Sequence, residues 1–423
     1  DKIDAKGYFF SDKINNHTIQ VKDWFLKIWF IGDFEKSIEN KINFSFPKSN
    51  NLLDRNLIIS ETNKIITIEN DWLGSIPVFY NTKDLIISTI PNLCLKDNLF
   101  DEEGLVNFLE FGYSVFERTA FKNVEFLRYY STLIIEGSII KVEFKDDPVL
   151  NPELFNKQST SKEAIDIIQE YITDVEQKVE GDIIIPTSGG YDSRLLNWGV
   201  NDKSRIRSFT YGLSKNQNES HEVVFASKIS KILNIKWKQI ELSNYNNYIN
   251  HWHKMFGFST HLHGMYHLEF YKKITSLKDF SNRSTLLSGI IGDLWTGSLK
   301  KIDILSEKDV NKLGYSHSIT LDNSFLKRKL KNSIKKKYFK KNKELINNPL
   351  IQVVSTIRLK MILLSYLTSV PEYFGIPVWT PFLNFNIATT MLRLPMEERE
   401  GREWQRKFFK SESLDIENMN LKV

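Results

Sequence analysis

Short apolar runs separated by Asn, Asp and Gly dominate the first part of the chain. Leu57-Ile58-Ile59, Ile65-Ile66-Thr67-Ile68, Leu85-Ile86-Ile87-Ser88 and Thr132-Leu133-Ile134-Ile135 each have the length and β-branched content of a strand. Asp101 to Gly112 reads as the one clear helix of this part, opened by acidic residues that suit a helix N-terminus. The Pro, Asp and Asn punctuation of Asp146 to Pro152 predicts a linker. After it the pattern changes. Lys162 to Val179 is amphipathic at the helical period, and strands at 182–186, 206–211, Trp237–Leu242 and 285–289 are interleaved with helices at 192–199 and Ser220–Leu233. Such alternation predicts a parallel sheet with helices on both faces and ligands at the carboxyl ends of the strands. Beyond about residue 300 the pattern is mostly helical. The fold class expected is therefore α/β and α+β: a β-rich domain over 1–155, then a parallel-sheet domain with a helical C-terminal part over 156–423.

One strand carries chemistry at its end. Ile183-Ile184-Ile185-Pro186 runs straight into Thr187-Ser188-Gly189-Gly190-Tyr191-Asp192-Ser193-Arg194 and a helix. Gly189 and Gly190 allow a tight turn whose N–H groups approach an anion, and the helix N-terminus adds positive partial charge. Ser188 and Ser193 supply hydroxyl donors, and Asp192 supplies the hard oxygen that Mg²⁺ takes beside a polyphosphate. No Gly-Lys-Ser/Thr follows, so this is a pyrophosphate-binding loop rather than a Walker loop. It implies ATP cleaved between its α and β phosphates, with AMP passed to a substrate.

Composition sets the outer limits. The chain has 423 residues, 41% of them hydrophobic and 26% charged, as in a globular protein of two or three domains. A net charge of +5 does not call for nucleic acid. No apolar run is read as a membrane span, Met361-Ile362-Leu363-Leu364 lying in a short interrupted segment. Cys94 is the single cysteine, which excludes an internal disulfide and a thiolate metal cluster and suits a reducing cytoplasm. The start, Asp1-Lys2-Ile3-Asp4, lacks both Met and a signal-peptide layout and reads as a trimmed or processed end.

Five of eight histidines fall between His251 and His267, with His263 and His267 at i, i+4 on one expected helical face. They read as a zinc pair, as a base for an incoming amine, or as packing around Trp252, Phe256, Tyr266 and Phe270. Packing outweighs zinc, because no further ligand set accompanies the pair. Phe325 to Lys343 reads as an amphipathic helix with a solvated basic face, and more weakly as a docking surface for an anionic carrier, lipid-linked glycan or membrane.

With these residues in hand, the chain resembles the asparagine synthetase family in its broad sense, which includes β-lactam synthetases and lasso-peptide cyclases. Ser188 to Ser193 is similar to the family's pyrophosphate loop. Phe209-Thr210-Tyr211-Gly212 with Glu219, Glu222 and Ala226 resembles its next strand and helix. Leu287-Ser288-Gly289-Ile290-Ile291-Gly292-Asp293 resembles a second Ser-Gly loop, whose aspartate shares Mg²⁺ with the first. Pro381-Phe382-Leu383-Asn384, Leu394-Pro395 and Gln405 to Lys410 resemble the family's C-terminal motifs. Asp71 to Tyr80 echoes its N-terminal glutaminase domain, an Ntn-hydrolase fold, and Thr119 to Val124 with Leu127 does so more weakly.

The resemblance implies ATP and Mg²⁺ as cofactors, bound by Ser188, Gly189, Gly190, Asp192, Ser193 and Gly289, with the metal on Asp192 and Asp293. It implies Lys407 as the catalytic cation, or Arg406 if Lys410 fills the place of the family's arginine. Glu372 and Tyr373 are candidates beside the reacting amine, and His263 and His267 for the acceptor pocket. The expected activity is an AMP-forming, cytoplasmic carbon–nitrogen ligase acting on small-molecule, peptide or glycan carboxylates and amines, with no nucleic acid and with a homodimer left open.

Departures fall on the acceptor and glutaminase sides. Lys6 stands before Gly7-Tyr8-Phe9, where the family has its nucleophilic cysteine, and the glutamine-holding motifs are absent. Glutamine hydrolysis is therefore not expected. Ile290 replaces a glutamate of the ammonia-using synthetases, Pro377 and Trp379 replace a Glu-x-Arg, and Asn384 replaces an aspartate. A sulfur-transferring enzyme would need catalytic cysteines near the loop, and a non-catalytic relative would not need both aspartates.

Overall fold

The computed structural model describes residues 14–21, 24–31, 35–36, 41–45, 52–63, 65–314 and 333–418. Lys6 and the stretch 325–332 lie outside them. The chain divides into two compact units: Asp1–Leu150 with Asn247–Met265 and Lys301–Ser369, and Asn151–Asn246 with Tyr266–Lys300 and Val370–Val423. The chain passes from one unit to the other between Leu150 and Asn151, inside the Pro-rich linker, but two later segments group with the N-terminal residues.

The first unit is built on a six-stranded antiparallel sheet, ordered Ile139–Phe144, Ser131–Glu136, Ile65–Asn70, Asn56–Thr62, Lys41–Ser45 and Glu35–Lys36. Alternate residues of its central strands are buried, so that Ile59, Ile68 and Leu133 line up across three strands in one core. The helix Glu102–Phe111 forms as its acidic start predicts. Asp101 accepts a hydrogen bond from the Gly104 N–H (2.6 Å), and Gly112 closes the helix in the left-handed region. Cys94 is buried and unpaired with any other sulfur.

The apolar run near Met361 is longer than the sequence pattern suggests. Pro349–Tyr373 is 25 residues of helical chain, long and apolar enough to cross a membrane by length and composition. Val354, Ile357, Met361 and Leu363 are nevertheless buried in protein, as in a core helix. The basic helix is described over Ser333–Asn347. Its Ile334, Tyr338 and Phe339 pack on the core while Lys336, Lys337, Lys340 and Lys341 are exposed.

The second unit holds a five-stranded sheet. Its strands are β1 (Ile183–Pro186), β2 (Ile206–Thr210), β3 (Lys236–Gln239), β4 (Thr285–Leu287) and β5 (Val378–Trp379). They are all parallel and ordered β3-β2-β1-β4-β5. Ile183, Ile184 and Ile185 are all buried, as a central strand covered on both faces requires. Helix α1 (Ser161–Lys178) starts at a capping box between Thr160 and Glu163 and buries Ile165, Ile168, Ile172 and Val175. Helices α2 (Tyr191–Gly199), α3 (His221–Ile232) and α4 (Tyr266–Thr275) follow, and α5 (Glu403–Ser411) lies near the C-terminus. The two-residue β5 is too short to give a strand pattern in the sequence.

Candidate active site

The strand order reverses at the centre of this sheet. From β1 the chain moves outward through β2 and β3, then returns to place β4 on the other side of β1. The loops that leave β1 and β4 are therefore neighbours at the switch point, the place where open parallel sheets hold ligands. Those two loops are the two Ser-Gly sequences.

The first loop is held by its own hydroxyls. The Ser188 N–H donates to Ser193 Oγ (3.1 Å), and the Gly190 N–H donates to Ser188 Oγ (3.1 Å). Gly190 caps α2 without a side chain, so the first N–H groups of the helix face the loop. A Cβ at Gly189 would stand 3.1 Å from Phe225 Cβ and 3.2 Å from the His221 ring. Below the loop, Thr187 Oγ1 accepts from Asn197 Nδ2 (2.8 Å) and from Ser208 Oγ (2.7 Å), fixing β1 to α2 and β2.

Arg194 locks the far side of the loop. It is fully buried and donates to the carbonyls of Gly189 (2.9 Å) and Leu414 (2.9 Å) and to Glu417 (2.7 Å). Nothing in the Ser-Gly-Gly pattern announces that role.

The second loop leaves β4 at Ser288, whose N–H donates to the Trp379 carbonyl (2.8 Å). Ile291 then adopts φ 56°, a conformation that a β-branched residue rarely accepts. This turn lays the loop on Asp192. A Cβ at Gly289 would be 3.3 Å from Asp192 Cβ, and one at Gly292 would be 2.7 Å from Asp192 Cγ. Asp293 is half-buried and accepts from Ser298 Oγ (3.1 Å).

Burial, with the adjacent negative charge of Asp293, pushes the Asp192 carboxyl up to about 7, against the opposing pull of Arg402. Asp192 Oδ1 is buried and has no hydrogen-bond partner. Two carboxylates crowded in this way fit a divalent cation. Among the described residues no group of three or more His, Cys, Asp or Glu gathers to hold a metal, so a cation here would take its other ligands from water and phosphate, as Mg²⁺ does.

The cations beside the loops come from the C-terminal segment. Arg402 has φ 62° and sets its guanidinium 5.1 Å from the centre of the Tyr191 ring. Arg406 lies beside Tyr191 and pairs with Glu403 at 3.2 Å. Phe409 stacks on Tyr191 with centroids 5.6 Å apart. Lys407, one residue further round α5, is exposed. In the sequence Arg402 is one of several basic residues scattered between Arg399 and Lys410, and nothing there singles it out.

A cavity of about 510 Å³ opens beside the first loop, lined by Ser188, Tyr211, Ser220, His221, His267 and Phe270 among others. That volume falls in the range of small-molecule sites. His267 belongs to it, with Nε2 3.4 Å from the Tyr211 hydroxyl. His263 does not share a helical face with His267. It sits in a short 3₁₀ turn, Leu262–Gly264, before the helix begins at Tyr266, and its N–H donates to His261 Nδ1 (2.9 Å). Glu372 and Tyr373 are both buried at the end of the helix Tyr366–Tyr373, and burial raises the Tyr373 phenol.

No protein family and no curated protein matches the chain. Among solved structures it is similar to the NH3-dependent NAD synthetase of Campylobacter jejuni in complex with the nitrate ion. The identity is 15%, with 49% of this chain and 95% of that chain covered, at a TM-score of 0.28. At that score the likeness carries no weight, and the two loops speak for themselves.

Proposed function

We propose that the protein is an ATP-dependent, AMP- and pyrophosphate-forming amide-bond synthase. In this reading a carboxylate oxygen of the substrate attacks the α-phosphorus of ATP, pyrophosphate leaves, and a nitrogen nucleophile then displaces AMP from the acyl-adenylate. The single observation that carries it is the meeting of two Ser-Gly loops, with Asp192 and Asp293 side by side, at the switch point of a parallel sheet.

The residues divide the work. Ser188 and Ser193 offer hydroxyl donors, and the N-terminus of α2 its first N–H groups, where negative charge collects on the departing pyrophosphate. Asp192 and Asp293 would hold Mg²⁺, which supplies charge neutralisation for the triphosphate. Arg402 is the cation placed to stabilise the same charge, with Arg406 behind it and Lys407 as the position favoured by sequence resemblance. The cavity lined by Tyr211, His267 and Phe270 is sized for the nucleoside. The nitrogen comes from an amine or from free ammonia rather than from glutamine, given Lys6 in the nucleophile's place. Glu372 and Tyr373 serve the acceptor side, in a natural-product or surface-glycan pathway.

The test is to incubate the protein with Mg-ATP and a panel of carboxylic acids and amines, then separate the nucleotides. AMP and pyrophosphate in equal amounts are expected. ADP as the sole product, or no binding of Mg-ATP by calorimetry, would overturn the assignment.

A further inference from the structure

Gln405 sits on α5, on the face turned to the two loops. On one side of it Trp404 donates its indole N–H to the Thr296 carbonyl (3.4 Å), just past Asp293 in the second loop. On the same helix Phe409 stacks on Tyr191 of the first loop, and Arg402 precedes it over the same ring. The Gln405 side chain is fully buried, lies against Asp192, and has neither Oε1 nor Nε2 in an aligned hydrogen bond. Asp192 Oδ1 is orphaned as well, although Gln405 lies within reach of that carboxylate.

A buried amide left in this state costs about 1–3 kcal/mol for each unsatisfied group. Leu or Met would fill the same space without that cost. An uncompensated polar pair in a core is what a site shows when its hydrogen bonds close only on binding, since such contacts are often poorly aligned before the ligand arrives.

We propose that Gln405 is a positioning residue for Asp192. Its amide N–H closes onto the carboxylate when the cation and pyrophosphate are bound, turning one Asp192 oxygen toward the metal. This rests on the reading of the two loops as a pyrophosphate site, and it assigns a role to this chain's own amide.

The experiment compares the parent protein with Gln405→Met and Gln405→Leu. Melting is followed without metal, and magnesium pyrophosphate and AMP are titrated separately by calorimetry. Both variants are expected to melt at or above the parent temperature without metal. Both should bind magnesium pyrophosphate at least tenfold more weakly, while AMP affinity stays within twofold. A lower melting temperature, or failure of both variants to fold, would make the amide structural and overturn the inference. Unchanged pyrophosphate affinity in the variants would overturn it too. If the parent itself binds no magnesium pyrophosphate, the pyrophosphate site falls, and this role with it.

Discussion

Gly292 lies directly on Asp192: a methyl group in place of its hydrogen would come within 2.7 Å of the carboxylate carbon and 3.0 Å of Oδ1. The same methyl would also meet Phe382 Cε2 at 2.9 Å, so it cannot be taken in without displacing the carboxylate or a buried ring. Gly292→Ala should therefore turn Asp192 out of place. Magnesium pyrophosphate binding is expected to weaken at least tenfold in calorimetry, with the circular dichroism spectrum unchanged.

Asp192 is held up to about 7 by burial and by Asp293, so its charged form is disfavoured in the metal-free protein. Asp192→Asn removes that repulsion together with the metal ligand. The variant should melt a few degrees higher without metal and lose AMP formation by two orders of magnitude or more. A variant that turns over ATP as the parent does would remove the basis for the assignment.

Arg402 and Lys407 make opposite predictions for the catalytic cation. Arg402→Ala should lower the rate of AMP formation about a hundredfold, and Lys407→Ala by less than threefold, both measured at saturating ATP. The reverse order would return the role to Lys407.

Arg194 is a matter of stability. Its guanidinium ties the first loop to the C-terminal segment from a fully buried position, while Glu417 is 39% exposed. Arg194→Met should cost about 3 kcal/mol in urea unfolding, because the Gly189 and Leu414 carbonyls lose their donors. Glu417→Gln should cost under about 1 kcal/mol, since solvent screens its charge.

His261 gives stability a pH dependence. Burial, with His263 adding, holds its imidazole down to about 4 from 6.5. Between those values the unfolded chain takes a proton that the folded protein refuses, so stability present above pH 6.5 is lost as pH falls toward 4. The urea midpoint should drop less between pH 7 and pH 5 in His261→Asn than in the parent. An equal drop would exclude His261 as the source.

Much of the site was written in adjacent residues. The triple isoleucine of β1, the two glycines and two serines that follow, and the start of α2 form one continuous stretch, and each acts through local backbone geometry. The second Ser-Gly loop is legible for the same reason. The histidine spacing misleads, because i, i+4 means one face only inside a helix, and the helix starts at Tyr266. The length of the apolar stretch Pro349–Tyr373 is hard to read from sequence, because polar residues such as Gln352 and Lys360 interrupt it although the fold buries both.

From the sequence alone come the alternation of strands and helices, the chemistry of each loop, and the solvated face of the basic helix, all of which depend on residues near one another in the chain. Folding decided what meets what. The reversal of strand order brings the loops after β1 and β4 together, a strained Ile291 lays Gly292 on Asp192, and the C-terminal helix supplies Arg402 and Gln405. Contacts between segments so distant along the chain arise from sheet order and core packing, which local periodicity does not encode.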